Sequence, residues 1–258
     1  MAVTHGVRID AEDLELAYGS ALVFTRSSFQ IPPGRLTAVI GPNGSGKSTL
    51  LNAIAGLLRP RAGELRVAAR DGVAARIAYV LQSTSVSPAL PITVREVVTM
   101  GRYASTGVLR PLSPSDRAAV AAAMERVGIA DLAGRPLHQL SGGQRQRVQL
   151  AQALAQEHDV LLLDEPLAGI DLPTARALDA IVHGERSHGC TVVTTTHDLT
   201  EARMADHVLL VGGRIVCEGK PETVLTSENL TTAYGPAAIH ADARPLFLDD
   251  ASHHEHAH

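Results

Sequence analysis

Residues 36–48 read LTAVIGPNGSGKS. The first five are apolar and predict a short β-strand, and Gly41 to Ser48 match the pattern G-x-x-x-x-G-K-[ST] at every fixed position. A helix is predicted to follow the glycines and to run to about Ala55, with Gly56 as its C-cap glycine. A strand, a glycine turn and a helix in this order are the setting in which this pattern binds phosphate.

The chemistry of this loop depends on its glycines, its lysine and its serine. Glycines let successive backbone N–H groups point at one anion, and the helix N-terminus adds the positive end of its dipole. Lys47 is expected to reach the β- and γ-phosphates of a nucleotide, and Ser48 to bind Mg²⁺. A glycine turn with a chance lysine is the alternative, but the chain has only one other lysine, Lys220, against 21 arginines. The predicted nucleotide contacts are Gly41, Pro42, Asn43, Gly44, Ser45, Gly46, Lys47, Ser48 and Thr49.

A second signal is the segment LLLDE, residues 161–165. Its apolar run predicts a central strand buried on both faces, with two carboxylates at the C-terminal end. Asp164 is predicted to hold Mg²⁺, and Glu165 to polarise the water that attacks the phosphate. Capping acids are the alternative, and the phosphate loop earlier in the chain favours the catalytic interpretation.

The third signal is LSGGQ, residues 140–144. A serine followed by two glycines at a helix start offers exposed backbone N–H groups that suit an anion. An ordinary helix N-cap is the alternative. The residues predicted to contact a phosphate here are Ser141, Gly142, Gly143 and Gln144.

Together these motifs resemble those of the nucleotide-binding subunits of ATP-binding-cassette (ABC) transporters, over about residues 5–225. Five motifs occur in the family's order, and LSGGQ is its own signature. The resemblance implies an α/β fold, in which a P-loop NTPase (RecA-like) core carries an antiparallel β subdomain and an inserted α-helical signature subdomain. It also implies ATP and Mg²⁺ as ligands and phosphoryl transfer to water as the reaction.

The resemblance assigns roles to four further residues. Tyr18 is similar to the aromatic residue that stacks on adenine, and His197 to the histidine at the γ-phosphate. Gln82 resembles the glutamine that contacts Mg²⁺ and water and senses the membrane partner, and Asp171 lies in a segment that resembles the loop crossing to the other protomer. The alternatives are a core or edge-strand tyrosine for Tyr18, a structural histidine for His197 and a polar strand end for Gln82. The implied catalytic residues are Lys47, Gln82, Glu165 and His197, and the implied Mg²⁺ ligands are Ser48, Gln82 and Asp164.

In that family two nucleotide-binding subunits meet head to tail, so that Ser141 and Gly143 of one contact the γ-phosphate held by the other. The implied partners are a second copy of the chain, transmembrane permease subunits and, indirectly, a solute-binding protein. No apolar run approaches the ~20 residues that cross a bilayer, which predicts a cytoplasmic chain held peripherally at the inner (plasma) membrane. The net charge of −4 without a basic patch argues against nucleic acid as a partner.

The pattern of predicted elements divides the chain into three parts. Residues 1–87 and 158–225 are predicted to form the nucleotide-binding core with its β subdomain, with short strands and turns up to residue 35. Residues 88–157 are predicted to form the helical subdomain, and residues 226–258 a C-terminal extension with a weakly structured tail.

Local signals refine this division. Thr93 and Glu96 are spaced as a capping box, and Gly101 is predicted to end that helix. A second helix is predicted to start at Ser113. The two cysteines, Cys190 and Cys217, are predicted to be buried reduced thiols.

The transported substrate is inferred from similarity alone. Residues 93–103 and 111–120 are similar to segments of zinc, manganese and iron importer ATPases, which favours a divalent metal importer, for zinc or manganese. ATPases of iron–siderophore or cobalamin importers, and of a soluble iron–sulfur assembly scaffold, remain alternatives. An ABC ATPase acting on DNA or ribosomes predicts a coiled-coil insertion or a second cassette, and neither is present.

The end of the chain is rich in histidine. Such a cluster is predicted to bind Zn²⁺ or a similar ion weakly, with a solvated tail or non-native residues as the alternatives. The histidines are His253, His254, His256 and His258.

Overall fold

A computed structural model of the chain contains two β-sheets and a group of helices. It describes residues 6–69, 72–81, 91–107, 110–167 and 172–235. Its strands are β1 Ile9–Tyr18, β2 Ala21–Ile31, β3 Leu36–Ile40, β4 Ala62–Val67, β5 Ile77–Val80, β6 Val160–Leu163, β7 Thr191–Thr196, β8 His207–Val211 and β9 Ile215–Gly219. Its helices are α1 Lys47–Ile54, α2 Val94–Thr106, α3 Pro114–Arg126, α4 Gly142–Ala155, α5 Leu172–Ser187, α6 Leu199–Arg203, α7 Pro221–Val224 and α8 Ser227–Tyr234.

The larger sheet has six strands in the order β5-β6-β7-β3-β8-β9. All neighbouring pairs are parallel except β8 and β9, which form an antiparallel hairpin. The strands predicted from the apolar runs 36–40 and 161–163 are confirmed as β3 and β6. Strand β7 lies between β3, which leads into the glycine-rich loop, and β6, which leads into the two carboxylates.

The central strands β3 and β6 of the larger sheet are buried on both faces, as their apolar sequences predict. Val39 of β3 packs into one hydrophobic cluster with β1, β2 and α1, whereas Ala38 and Ile40 pack into another with α2, α3 and α4. Successive side chains of a strand point to opposite faces, so each central strand contributes to both clusters. The C-terminal ends of β3, β6 and β7 are therefore held by the core on either side.

The smaller sheet is antiparallel, with the order β2-β1-β4. The prediction of short strands before residue 35 is wrong, because β1 and β2 are long and meet at a tight turn that includes Gly19 at φ +60°. Pairing is irregular between Ala11 and Leu14, where Asp13 has φ +48°. This irregularity breaks the alternation of buried and exposed residues that would predict one long strand.

Helices α2, α3 and α4 form the inserted group between β5 and β6. The predicted capping box at Thr93 is present. Ser113, the predicted start of the second helix, is the N-cap of α3 and also forms a capping box, with Asp116. The prediction that Gly101 ends a helix is wrong, since α2 continues to Thr106. A Cβ at Gly101 would lie 2.2 Å from the carbonyl oxygen of Gln152 in α4, so the glycine serves close helix packing. The α/β class with its two sheets and inserted helices is confirmed, and the exact domain limits remain a prediction.

A buried arginine joins the inserted helices. The Nε of Arg102 in α2 donates to Asp116 Oδ1 of α3 at 2.8 Å, and its NH1 donates to the carbonyl of Ala155 at 2.9 Å.

Cys190 is buried as predicted, but Cys217 is only partly buried because β9 is an edge strand. None of the helices in the described part of the chain combines the length and the apolar character needed to cross a bilayer.

Candidate functional site

The glycine-rich loop connects β3 to α1 and brings its backbone close to neighbouring strands. Gly44 and Gly46 have φ of +77° and +99°, the left-handed region that glycine adopts without strain. At Gly41, an added Cβ would lie 2.0 Å from the carbonyl oxygen of Val211. The glycines at these positions are therefore required by the shape of the loop.

The N-terminus of α1 is suited to an anion. Its N-cap is Gly46, which forms no side-chain cap, and no acidic residue lies in its first turn. Helices α2, α3 and α4 each have a side-chain capping box instead. The first N–H groups of a helix need an external acceptor when no side chain supplies one. A phosphate group fits this end of α1 in both charge and hydrogen bonding.

Lys47 lies at the floor of the loop, with only 5% of its surface exposed. Its Nζ donates to the carbonyl of Gly41 at 2.9 Å and of Pro42 at 3.1 Å, and lies 3.9 Å from Glu165 Oε1. Burial lowers the pKa of Lys47, although the nearby carboxylates of Glu165 and Asp164 oppose the shift. The ammonium group is thus fixed beside both the loop backbone and the acidic pair.

Asp164 and Glu165 follow β6 directly, at the edge of the sheet where β3 ends. Ser48 Oγ donates to Asp164 Oδ1 at 3.1 Å, and the Tyr79 hydroxyl donates to Oδ2 at 3.5 Å. Burial, and then the negative charge of Asp164, raise the pKa of Tyr79, so its phenol stays protonated and donates. A serine hydroxyl and a carboxylate supply the oxygen ligands that Mg²⁺ prefers. The two predicted Mg²⁺ ligands that the structure describes are therefore together.

Thr195 of β7 contacts both acidic residues, although the sequence did not single it out. Its buried hydroxyl donates to Asp164 Oδ1 at 2.6 Å and accepts from the backbone N–H of Glu165 at 2.8 Å. Glu165 itself has φ +45°, the left-handed region. The only sequence signal was a run of three threonines in a β-rich segment, which is explained equally well by strand propensity.

His197 and Glu165 line one open cleft, together with Glu201 of α6 and Thr196. Thr196 Oγ1 donates to Glu201 Oε2 at 2.6 Å. Burial raises the pKa of Glu201, and the charges of Asp198 and Glu165 add to the shift. The structure thus brings the predicted histidine to the same cleft as the predicted catalytic glutamate.

The predicted signature lies at the start of α4, where Ser141 is the N-cap. Ser141 Oγ accepts from the Gln144 N–H at 3.3 Å, and Gln144 Oε1 accepts from the Ser141 N–H at 3.0 Å. Ser141 and Gly142 are exposed. Further along α4, the buried Gln146 side chain donates to the carbonyl of Pro166, directly after Glu165. The signature helix is thereby connected to the segment that carries the acidic pair.

Tyr18 stands at the end of β1 and is 50% exposed, so it is not a core tyrosine. Its hydroxyl accepts from Asn52 Nδ2 of α1 at 3.0 Å, which places it beside the helix that follows the loop.

Several predicted residues lie outside the described residues, and their predictions are unchanged: Gln82, Asp171, His253, His254, His256 and His258.

Comparison with known proteins agrees with this geometry. Residues 24–168 match the family model of the ABC transporter. The chain is 39% identical to the manganese transport system ATP-binding protein MntA of Synechocystis sp., covering 88% of this chain and 90% of MntA. It is 42% identical to the zinc transport system ATP-binding protein TroB of Treponema pallidum, covering 91% of this chain and 88% of TroB.

A similar fold occurs in the ATP-binding cassette MJ0796, solved as a dimer in a post-hydrolysis state bound to ADP and Pi. The TM-score is 0.71 and the identity is 26%, over 83% of this chain and 98% of that chain. The family match spans more than half of the chain, and both curated relatives exceed 35% identity over most of their length. The chain therefore belongs to the ABC transporter family and is an ATPase of that family.

Proposed function

We propose that this chain is the ATP-hydrolysing subunit that energises a membrane importer of divalent metal ions, zinc or manganese. The observation that carries the hydrolytic part is the convergence of Lys47, Ser48, Asp164 and Glu165, from two distant segments, at the ends of β3 and β6. The metal-ion part rests on the names of the relatives, which describe manganese and zinc transport systems.

We assign roles to the site residues from the family resemblance, and their positions support the assignment. Lys47 and the N–H groups at the start of α1 hold the phosphates, and Tyr18 stacks on the adenine. Ser48 and Asp164 would hold Mg²⁺, which would neutralise charge on the phosphate oxygens. Gln82, which lies outside the described residues, remains the third predicted Mg²⁺ ligand.

Glu165 polarises the attacking water. Its carboxylate is half-buried at the open cleft that it shares with His197, so water can reach it. The proposed contact of His197 with the γ-phosphate is supported by the exposure of this side chain in the cleft. Catalysis of this kind depends on positioning and on charge stabilisation, because phosphoryl transfer to water needs no covalent step on the protein.

The complete site includes a second copy of the chain. Ser141, Gly142, Gly143 and Gln144 of that copy contact the γ-phosphate, and Asp171 lies in the loop that crosses between the copies. Exposure of Ser141 and Gly142 leaves the start of α4 open to such a partner. The dimeric state of the MJ0796 cassette supports the same arrangement. Permease subunits hold the pair at the cytoplasmic face of the membrane, and a solute-binding protein delivers the ion.

The hydrolytic assignment is tested by two substitutions in the purified chain. Lys47→Ala should weaken ATP binding measured by titration calorimetry, because it removes the only buried ammonium near the loop in the described part of the chain. Lys220→Ala is the matched control, since Lys220 is exposed and is the chain's other lysine. Unchanged ATP affinity in Lys47→Ala would contradict the phosphate-loop assignment.

Glu165→Gln should keep ATP binding and lower the hydrolysis rate by about 10²–10⁴-fold, the contribution typical of a general base. It should also trap a dimer with ATP, seen by size-exclusion chromatography. Glu222→Gln, an exposed site on α7, is the control. Hydrolysis by Glu165→Gln at the wild-type rate would show that Glu165 is not the catalytic carboxylate.

The cargo is tested with the chain and its permease reconstituted in vesicles. Uptake is measured with a panel of Zn²⁺, Mn²⁺, iron and a ferric siderophore. ATP-dependent uptake of Zn²⁺ or Mn²⁺ supports the proposal. Uptake of the siderophore alone, or co-purification with a cysteine-bearing scaffold in place of a permease, refutes it.

A further inference from the structure

The hydroxyl of Thr195 has an unusual combination of partners. It donates its proton to Asp164 Oδ1 at 2.6 Å and accepts the backbone N–H of Glu165 at 2.8 Å. Thr195 is fully buried, at 0% exposure. A hydroxyl offers one donor and two acceptor positions, so one side chain here orients two consecutive residues that follow β6.

The sheet order explains why this side chain comes from β7. Strand β7 pairs with β6 on one side and with β3 on the other, with Leu163 opposite Thr194 and Ile40 opposite Thr196. Neighbouring strands lie ~4.8 Å apart, so the ends of β3 and β6 are roughly 10 Å apart with β7 between them. Thr195 therefore stands between the phosphate loop and the two carboxylates.

Glu165 adopts a backbone conformation that a side chain makes costly. Its φ of +45° is one of two positive values among non-glycine residues in the described chain. Left-handed conformations of such residues persist when the surrounding structure fixes them. The hydrogen bond from the Glu165 N–H to Thr195 is a contact that fixes it, and with it the direction of the carboxylate, 3.9 Å from Lys47 Nζ.

We propose that Thr195 is a positioning residue for hydrolysis, which holds Asp164 and Glu165 in their working orientations without touching the nucleotide. The inference rests on the proposed roles of those two carboxylates. It adds a requirement that motif matching does not include, a hydroxyl at the penultimate residue of the central strand β7. A threonine that only fills space in the core would be replaced by valine without a catalytic effect.

The experiment compares Thr195→Val with Thr195→Ser and with the wild-type chain. Valine keeps the shape and removes the hydroxyl, whereas serine keeps the hydroxyl and removes a methyl group. Thr195→Val should lower kcat by about 10- to 100-fold, the effect of losing hydrogen bonds to a charged group. KM for ATP and the ATP affinity should change little, because Lys47 and the loop are intact, and Thr195→Ser should restore most of kcat.

Thr37→Val is the matched control. Thr37 lies on the adjacent strand β3, is equally buried, and its hydroxyl has no hydrogen-bond partner among the described residues. The control should keep the wild-type kcat. If Thr195→Val fails to fold in circular dichroism, Thr195→Cys replaces it, because a thiol is a weak donor and acceptor and should still lower kcat relative to serine.

The possible results separate the two proposals. Wild-type kcat in Thr195→Val, or equal kcat in Thr195→Cys and Thr195→Ser, overturns the positioning role and leaves the proposed function standing if Glu165→Gln is inactive. Wild-type hydrolysis by Glu165→Gln instead overturns the proposed function itself. A fall in kcat that Thr195→Ser does not rescue also overturns the role of the hydroxyl.

Discussion

Gly101 provides a test of helix packing in the inserted group, because substitution by alanine has opposing effects that the structure can weigh. Alanine is favoured over glycine in a helix interior by about 1 kcal/mol, and Gly101 lies inside α2. Propensity alone therefore predicts that Gly101→Ala stabilises the chain. The Cβ, however, would lie 2.2 Å from the carbonyl oxygen of Gln152 and 3.3 Å from the Cβ of Ala155.

The packing cost exceeds the propensity gain. An ordinary contact is at least 3.4 Å, so α2 and α4 must separate by roughly 1 Å to accommodate the Cβ. A gap of this size removes about a quarter to a half of the dispersion energy of each contact between the two helices. Overpacking of this kind costs about 1–3 kcal/mol, and the upper end applies because the contact is with backbone. Gly101→Ala should therefore lower the free energy of unfolding by about 2 kcal/mol.

Gly184→Ala is the matched control, since Gly184 lies inside α5 and, among the described residues, its added Cβ would meet only Arg126 NH2, at 3.7 Å. It should raise stability by about 1 kcal/mol. Urea unfolding followed by circular dichroism measures both variants, and each kcal/mol corresponds to about 2–4 °C in Tm for a chain of this size. Gly101→Ala at or above wild-type stability would refute the packing explanation for this glycine.

Two further predictions concern buried charges. Burial alone would raise the pKa of Glu185, but hydrogen bonds and charge from His158 and Arg126 lower it to about 2; Glu185→Gln should therefore lower the free energy of unfolding at pH 7 by about 3 kcal/mol. Because the pKa of Glu185 in the folded chain lies below its ordinary 4.5, this stabilisation is complete above pH 4.5 and is lost as the pH falls towards 2. Urea unfolding curves of the wild-type chain and Glu185→Gln should therefore converge as the pH falls. A difference in stability that does not depend on pH would contradict this explanation. Arg102→Met removes the cation beside Asp116 and the hydrogen bond to the carbonyl of Ala155, and should therefore lower the free energy of unfolding in the same assay. Removal of the arginine from an exposed surface pair should cost less than about 1 kcal/mol, and a cost for Arg102→Met no larger than this would contradict the importance of the buried contacts.

The residues proposed to contact the nucleotide and Mg²⁺ could be predicted from the sequence, because that chemistry restricts both residue type and spacing. The loop from Gly41 to Ser48 needs glycines at positive φ, and the structure places them there. Asp164 and Glu165 were found from the apolar strand before them, which is buried on both faces as predicted. Each of these signals is local, since one short segment contains it.

Features that depend on contacts between distant segments could not be predicted in this way. The sequence predicts a helix end at Gly101 because glycine is typical of helix C-caps, but glycine is also found where two helices cross closely. Only the position of Gln152 distinguishes the two cases. The length of β1 was hidden by its irregular pairing near Asp13. The sequence does not reveal the role of Tyr79, because its hydroxyl contact with Asp164 joins residues 85 positions apart.

Thr195 belongs to the same class, but the sheet order makes its position predictable. Strand β6 leads into the two carboxylates and β3 leads into the phosphate loop, and one strand lies between them in the sheet. That intervening strand must end without filling the space where Ser48 meets Asp164. A small side chain satisfies this steric condition. A hydroxyl also satisfies the two polar groups that follow β6, the Asp164 carboxylate and the Glu165 N–H, because buried polar groups cost free energy when unpaired. Once β7 is known to lie between β6 and β3, the residue beyond the partner of Leu163 is the place to look for such a hydroxyl. The strand order therefore adds a positioning residue that no motif in the chain contains.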